Sequence, residues 1–134
     1  MQKPWLSQYA GVAEHIDLNR FNSIPAIFDS AFARFSDRPM AINMGKSLTY
    51  REFDQYSRDV AAWLQSLGLQ KGDRVAIMMP NCLQYLILVP AILRAGYAVT
   101  NINPLYTPDE LTHQLNDSGA KAIFILENFA HALE

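Results

Sequence analysis

The chain has 134 residues, of which 50% are apolar and 18% are charged, and its net charge is −2. These values are typical of one globular domain and exclude an intrinsically disordered chain, a collagen-like repeat and a disulfide scaffold. The basic residues are spread along the chain without forming a stripe, so no nucleic-acid partner is expected.

Two further observations concern the compartment in which the protein works. The single cysteine, Cys82, cannot form an internal disulfide, which suits a reducing cytoplasm. The N-terminus lacks the basic start and apolar run of a secretory signal, and the nearly apolar run 85–93 is much shorter than the roughly 20 residues of a spanning helix. We therefore expect a cytoplasmic protein, with peripheral contact at the inner face of the membrane left open.

The predicted elements fall into three consecutive parts. Residues 1–22 show no sustained period and predict an irregular arm. Residues 23–72 predict a helix, a hairpin around Gly45 and a second helix. This second helix begins with a capping box formed by Thr49 and Glu52.

The third part, residues 73–134, alternates strands and helices as a βαβαβ unit. The predicted strands are 74–79, 97–102 and 120–126, and the predicted helices are 81–95, capped by Asn81, and 108–117, capped by Thr107. The last strand is apolar at consecutive positions, which is typical of a strand buried on both faces and hence of a parallel sheet. We therefore predict an α/β fold in which residues 1–134 form a single domain.

Two phosphate-binding motifs are excluded by residue type. Gly45, Lys46 and Ser47 look like the end of a phosphate loop, but Met40 stands where that pattern requires glycine. The turn after the first strand of the βαβαβ unit lacks the glycines of a dinucleotide site. A hairpin turn is the better interpretation of Gly45–Ser47.

Other reactive side chains also have structural interpretations. Cys82 is placed in the first turn of a helix, where the helix dipole lowers a thiol pKa, but no base is predictably near it and a small buried side chain is favoured. Asp109 and Glu110 are adjacent on a helix, so they do not face each other and instead suit its positive end. The histidines lie far apart without metal-ligand spacing, which argues against zinc.

The best candidate for ligand contact is the segment that follows the second strand of the unit. Asn101, Asn103, Pro104, Tyr106 and Thr107 lie at the carboxyl edge of the predicted sheet, where α/β folds place ligands. Asn and Pro also commonly form a turn without touching a ligand. From the residues alone we assign no catalytic, cofactor-binding or metal-ligating residue.

Three ordered segments nevertheless resemble core motifs of the adenylate-forming enzymes. They are LTYREF at 48–53, KGDRVAIMMPN at 71–81 and LRAGYAVTNINP at 93–104. The longer string NPLYTPDELTHQLNDSGAKAI at 103–123 is similar to bacterial long-chain fatty acid–CoA ligases more than to peptide synthetase or luciferase members. The resemblance covers nearly the whole chain, from about Trp5 to the end.

The resemblance implies that the chain is the N-terminal portion of a longer enzyme and part of its large N-terminal domain. Such an enzyme uses ATP and Mg²⁺ to convert a long-chain fatty acid into an acyl adenylate, and then transfers the acyl group to coenzyme A. The family motifs that perform this chemistry do not occur here, so no catalytic residue is carried over. The isolated chain is expected to be inactive and to bind none of these cofactors.

An alternative of another class is a free-standing α/β binding or interaction module without ATP chemistry. A further expectation concerns assembly, because a portion of a parallel sheet can lack the elements that cover one of its faces. On this argument the chain self-associates as a homo-oligomer, with Trp5 and Tyr9 of the arm as the candidate contact.

Overall fold

The computed structural model describes residues 3–133, so the parts of the predicted arm and domain at positions 1, 2 and 134 lie outside the described residues. The helices and strands, in chain order, are α1 (Ile24–Phe35), β1 (Pro39–Asn43), β2 (Lys46–Thr49), α2 (Tyr50–Ser66), β3 (Arg74–Met78), α3 (Leu83–Arg94), β4 (Ala98–Ile102), α4 (Pro108–Ser118) and β5 (Ala122–Ile125). Short 3₁₀ helices occupy Pro4–Gln8 and Glu127–Leu133. The predicted α/β class and order of elements are confirmed.

The βαβαβ unit forms a three-stranded parallel sheet with the order β4-β3-β5. Val75 of β3 is in register with Val99 of β4 on one side and with Ala122 of β5 on the other. Because β3 is central, its residues from Val75 to Met78 are all buried. The predicted burial of the last strand on both faces is wrong in degree, since β5 lies at an edge and is only half-buried.

Helices cover both faces of the central strand. On one face Val75 and Ile77 pack with Leu64 of α2 and with Leu88 and Ile92 of α3. On the other face the cover comes from α4 and the second 3₁₀ helix, in a cluster formed by Ala76, Met78, Ile102, Leu111 and Ala132. The expectation of a bare sheet face is therefore wrong for β3. The self-association predicted from a bare face is not supported by this sheet.

The N-terminal layer packs beside this sheet around a separate apolar cluster. Phe32 of α1, Leu48 of β2, Phe53 of α2 and Leu83 of α3 are its buried members. The antiparallel pair β1–β2 turns at Met44 and Gly45, where φ is 48° and 79°. Positive φ at both central residues is the hairpin turn that matches strand twist, so the hairpin interpretation of this segment is confirmed.

Local hydrogen bonds define where the helices begin. The predicted capping box of α2 is confirmed, because the Thr49 backbone N–H donates to Glu52 Oε2 at 2.7 Å and the Glu52 N–H donates to Thr49 Oγ1 at 3.2 Å. Thr107 and Glu110 form the same arrangement at α4. The predicted start of α3 is wrong by one residue, since Cys82 and not Asn81 is the N-cap.

The arm departs from the prediction of an irregular segment at one place. Pro4–Gln8 forms a 3₁₀ helix, and Ser7 Oγ donates to the Pro4 carbonyl at 2.9 Å. Trp5 and Tyr9 are 54% and 42% exposed, so a large part of each aromatic side chain is open to solvent. Their role as a self-association contact stays a prediction.

None of the described helices combines the length and the apolar character needed to cross a lipid bilayer.

Candidate functional site

The carboxyl ends of the three parallel strands meet at one edge of the sheet, which is the edge where open α/β sheets bind ligands. At this edge β3 leads into α3, and β4 leads through residues 103–107 into α4. The residues predicted for ligand contact lie in this loop, 103–107, or in the last two residues of β4.

The loop after β4 uses its polar groups to hold its own shape. Asn103 Oδ1 accepts a hydrogen bond from the Leu105 N–H at 3.0 Å, and the Asn103 carbonyl accepts one from the Tyr106 N–H at 3.1 Å. Asn101 Oδ1 accepts from the Tyr85 hydroxyl at 3.1 Å. These contacts support the turn interpretation, and contact between this segment and a ligand stays a prediction.

Two shallow cavities open beside this edge. One, of about 300 Å³, lies between the hairpin and the start of α3, and its lining includes Ile42, Asn43 and Cys82. The other, of about 320 Å³, is lined by α4 residues that include Glu110 and His113, with Tyr106 at its rim. Both volumes are at the lower end of the range for small-molecule sites.

Cys82 sits at the N-cap of α3, and not within its first turn as predicted. The side chain is half-buried, and its sulfur lies 3.8 Å from Met79 Sδ. Among the described residues that line its cavity there is no histidine, carboxylate or amine to act as a base. The structure therefore supports a packing role for this thiol.

The carboxyl groups whose pKa is lowered lie at helix caps and in a surface ion pair. Hydrogen bonds from the Thr49 backbone N–H and hydroxyl lower the pKa of Glu52, and those from Thr107 lower the pKa of Glu110 in the same way. The pKa of Asp37 is lowered by its hydrogen bond and charge pairing with Arg51. Helix caps and a surface ion pair account for these shifts, so they do not identify an acid–base pair.

Two of the three segments that resemble family motifs, 71–81 and 93–104, contact each other at the opposite, amino edge of the sheet. The Gly72 N–H donates to the Gly96 carbonyl at 2.9 Å, and the Ala98 N–H donates to the Asp73 carbonyl at 2.9 Å. Gly96 has φ of 93°, a conformation that strongly favours glycine. These motif residues join the start of β3 to the start of β4, which is an architectural role.

Sequence reasoning missed one polar cluster. Arg94, at the end of α3, donates to Ser57 Oγ and to Asp54 Oδ1, both at 2.8 Å, and also pairs with Asp29 of α1. The Arg94 side chain is only 15% exposed, and Ser57 is fully buried. The available signal was an arginine closing a strongly apolar helix, since a guanidinium in that position needs carboxylate partners. This Arg94 cluster binds α1, α2 and α3 together.

Within residues 3–133 no group of three histidine, cysteine or carboxylate side chains is arranged to hold a metal ion. The described part of the chain therefore presents turns, caps and core at its carboxyl edge, and it does not bring together a set of reactive groups.

Comparison with known proteins gives consistent results. The family model described as "AMP-binding enzyme" matches residues 28–134. A long-chain-fatty-acid–CoA ligase from Yersinia pestis is 56% identical over the whole chain, which spans 24% of that relative's length.

Solved structures show the same fold. The luciferase-like enzyme of the mealworm Zophobas morio superposes with a TM-score of 0.81 at 25% identity, over 89% of this chain and 29% of that one. The N-terminal subdomain of NpsA from Klebsiella oxytoca superposes with a TM-score of 0.71 at 31% identity, over 75% of this chain and 26% of that one. The chain thus spans about a quarter of the length of the proteins that it matches.

Proposed function

The chain belongs to the AMP-binding enzyme family, and we propose that it is the N-terminal structural portion of a long-chain fatty acid–CoA ligase. The whole enzyme activates a long-chain fatty acid with ATP and Mg²⁺ to an acyl adenylate, and it then transfers the acyl group to the thiol of coenzyme A. The observation that carries the proposal is the 56% sequence identity to the Yersinia pestis ligase, which extends over the entire chain.

The part played by this chain is to build and hold the sheet beside which the chemistry takes place. Its motif residues join strands at the amino edge and cap helices, and its carboxyl edge supplies a preformed turn after β4. Stabilisation of phosphate charge during adenylate formation needs several fixed donors or cations around the reacting groups. Such groups belong to the rest of the enzyme in this proposal, so the isolated chain supplies a scaffold and no turnover.

The test is a fusion in which residues 1–134 replace the matched quarter of the Yersinia pestis ligase. AMP release with palmitate, ATP, Mg²⁺ and coenzyme A should lie within about tenfold of the parent enzyme, which corresponds to about 1.4 kcal/mol in the barrier. The isolated chain should release no AMP above a control without protein. Turnover by the isolated chain would contradict the structural role, and a folded fusion active only on other acids would contradict the fatty-acid assignment.

We further propose that the enzyme works in the cytoplasm and meets its lipid substrate at the inner face of the membrane. The arm supports this contact, because Ile16 and Leu18 are both 84% exposed on a segment next to Val12 and Phe21. Exposed apolar side chains of this kind insert into the headgroup region of a bilayer.

Flotation of the isolated chain with vesicles of phosphatidylethanolamine and phosphatidylglycerol tests the membrane contact. The double substitution Ile16→Glu and Leu18→Glu should lower the bound fraction by about tenfold, because two apolar anchors become charged. The matched control is Met44→Glu, at an apolar position on the hairpin that is 97% exposed, and it should leave binding unchanged. Equal binding by all of these proteins would show that the arm is not the membrane contact.

A further inference from the structure

The N-terminal arm and the start of α1 border an apolar cleft of about 570 Å³. The large apolar side chains of its lining are those of Val12, Ile16, Leu18, Phe21 and Ile27. Ile16 and Leu18 are both 84% exposed and Ile27 is 46% exposed, so much of this lining is in contact with water. The hydrophobic effect therefore favours an apolar ligand here, and the volume lies within the range of small-molecule sites.

One cation stands at this cleft without an acidic partner. Arg20 belongs to the lining, and its guanidinium lies 5.3 Å from the centre of the Phe21 ring, which lines the same space. No carboxylate within residues 3–133 forms an ion pair with Arg20. A guanidinium is a planar fork of donors that fits a carboxylate, so Arg20 is available to bind one beside the apolar lining.

The other two ionisable groups of the lining are held by neighbours within the arm. His15 Nε2 lies 3.5 Å from Glu14 Oε1. Asp17 Oδ1 accepts a hydrogen bond from the Asn19 N–H at 3.0 Å. Because the Asp17 carboxylate repels an anion, the acidic group of a ligand is expected to lie at Arg20 and away from Asp17.

We propose that this cleft binds one free long-chain fatty acid, with its carboxylate on Arg20 and its alkyl chain along the apolar lining. A sixteen-carbon chain occupies roughly 500 Å³, because a methylene group takes up about as much space as a water molecule in the liquid, about 30 Å³. The cleft therefore matches one alkyl chain, whereas a phospholipid brings two. The inference rests on the proposed membrane contact for the source of the fatty acid, but binding itself requires neither a bilayer nor ligase turnover.

Fluorescence titration of the chain with cis-parinaric acid, without vesicles, tests the proposal. This long-chain acid becomes fluorescent when it leaves water, and it is used below the concentration at which it forms micelles. One equivalent should bind to each chain, and palmitate should displace it. Absence of saturable binding, binding only after vesicles are added, or one equivalent shared by two chains would overturn the proposal. Flotation and AMP release by the fusion are measured separately, so failure here is distinguishable from failure of the membrane contact or of the ligase proposal.

Substitution of the charged groups tests where the carboxylate lies. Arg20→Gln should weaken binding of cis-parinaric acid about tenfold, because the charge-assisted contact is lost, and Asp17→Asn should strengthen it about threefold, because a like charge is removed. The matched control is Arg38→Gln, since the Arg38 guanidinium also lies on an aromatic ring, 5.4 Å from the centre of Phe35, but does not line the cleft. Equal affinities of the parent, the Arg20 variant and the control would overturn the proposal.

The uncharged alcohol with the same alkyl chain separates the two parts of the site. It should bind the parent and the Arg20→Gln variant equally, because it carries no carboxylate. An equal loss of acid and alcohol binding in this variant would show that Arg20 only shapes the arm, and would overturn the proposal.

The apolar lining is tested by Ile27→Glu, which should weaken binding of both acid and alcohol at least about tenfold. Its control is Ile42→Glu, at an exposed apolar position on the hairpin, which should change neither affinity. Unchanged binding by a folded Ile27 variant would overturn the proposal. If thermal unfolding shows that this variant does not fold, the comparison of acid and alcohol in the Arg20 variant decides the question.

Discussion

At the scale of single residues, the side chain of Arg94 connects three helices. Its guanidinium bridges carboxylates on two other helices and stands 5.7 Å from the centre of the Phe32 ring. A planar fork of donors suits such a site, because each nitrogen can address a different acceptor. The sequence did not identify this role, since Asp54 lies 40 positions and Asp29 65 positions away along the chain.

We therefore expect substitution of Arg94 to reduce the free energy of unfolding markedly. Arg94→Leu should lower the free energy of unfolding by about 2–3 kcal/mol, because hydrogen bonds to charged groups are lost and Asp29 of α1 loses its ion-pair partner. The control is Arg58→Leu, which removes an exposed partner of the same Asp54 and should cost less than about 1 kcal/mol. Urea unfolding measures both values, and equal losses would show that the Arg94 cluster does not hold the helices together.

At the scale of elements, local hydrogen bonds determine most of the boundaries. The two capping boxes, the hairpin around Gly45 and the left-handed residue Gly119 after α4 depend on residues close in sequence. Such features are readable from the sequence because donor and acceptor are a few positions apart. The start of α3 could not be predicted in this way. Asparagine is the better N-cap residue in isolation, but the fold places Cys82 at the N-cap position.

The capping glutamates also predict how stability changes with pH. Since hydrogen bonds from Thr49 and Thr107 lower the pKa of Glu52 and Glu110 in the folded chain, their contribution is present above the ordinary value of 4.5. It is lost as the pH falls through the lower folded values. We expect the urea midpoint to decrease on acidification below that value.

The double variant Glu52→Gln and Glu110→Gln checks this origin of the acid sensitivity. Its urea midpoint should change less with pH than that of the parent between about pH 7 and pH 2.5, because two of the groups that titrate are absent. Glu127→Gln, at an exposed position of the second 3₁₀ helix, is the control and should leave the profile unaltered. Identical profiles for the parent and the double variant would refute the assignment.

At the scale of the whole molecule, the sequence predicts the α/β architecture but not the environment of each strand. Consecutive apolar residues in β5 correctly indicated a parallel strand, yet its burial depends on neighbours that its own pattern does not encode. At the candidate site, the sequence could place Asn103 and Thr107 at the carboxyl edge because they follow a parallel strand, but it could not show the hydrogen bonds that these residues make.

The position of β3 has a consequence for synthesis on the ribosome. This strand is the first of the three to be translated and also the central one, and β4 and β5 then add to its two sides. No strand has to be inserted between two that are already paired, so the sheet grows outward as the nascent chain emerges. Folding can thus follow translation from the N-terminus, with α3 and α4 closing over the two faces of β3 after this strand has been made.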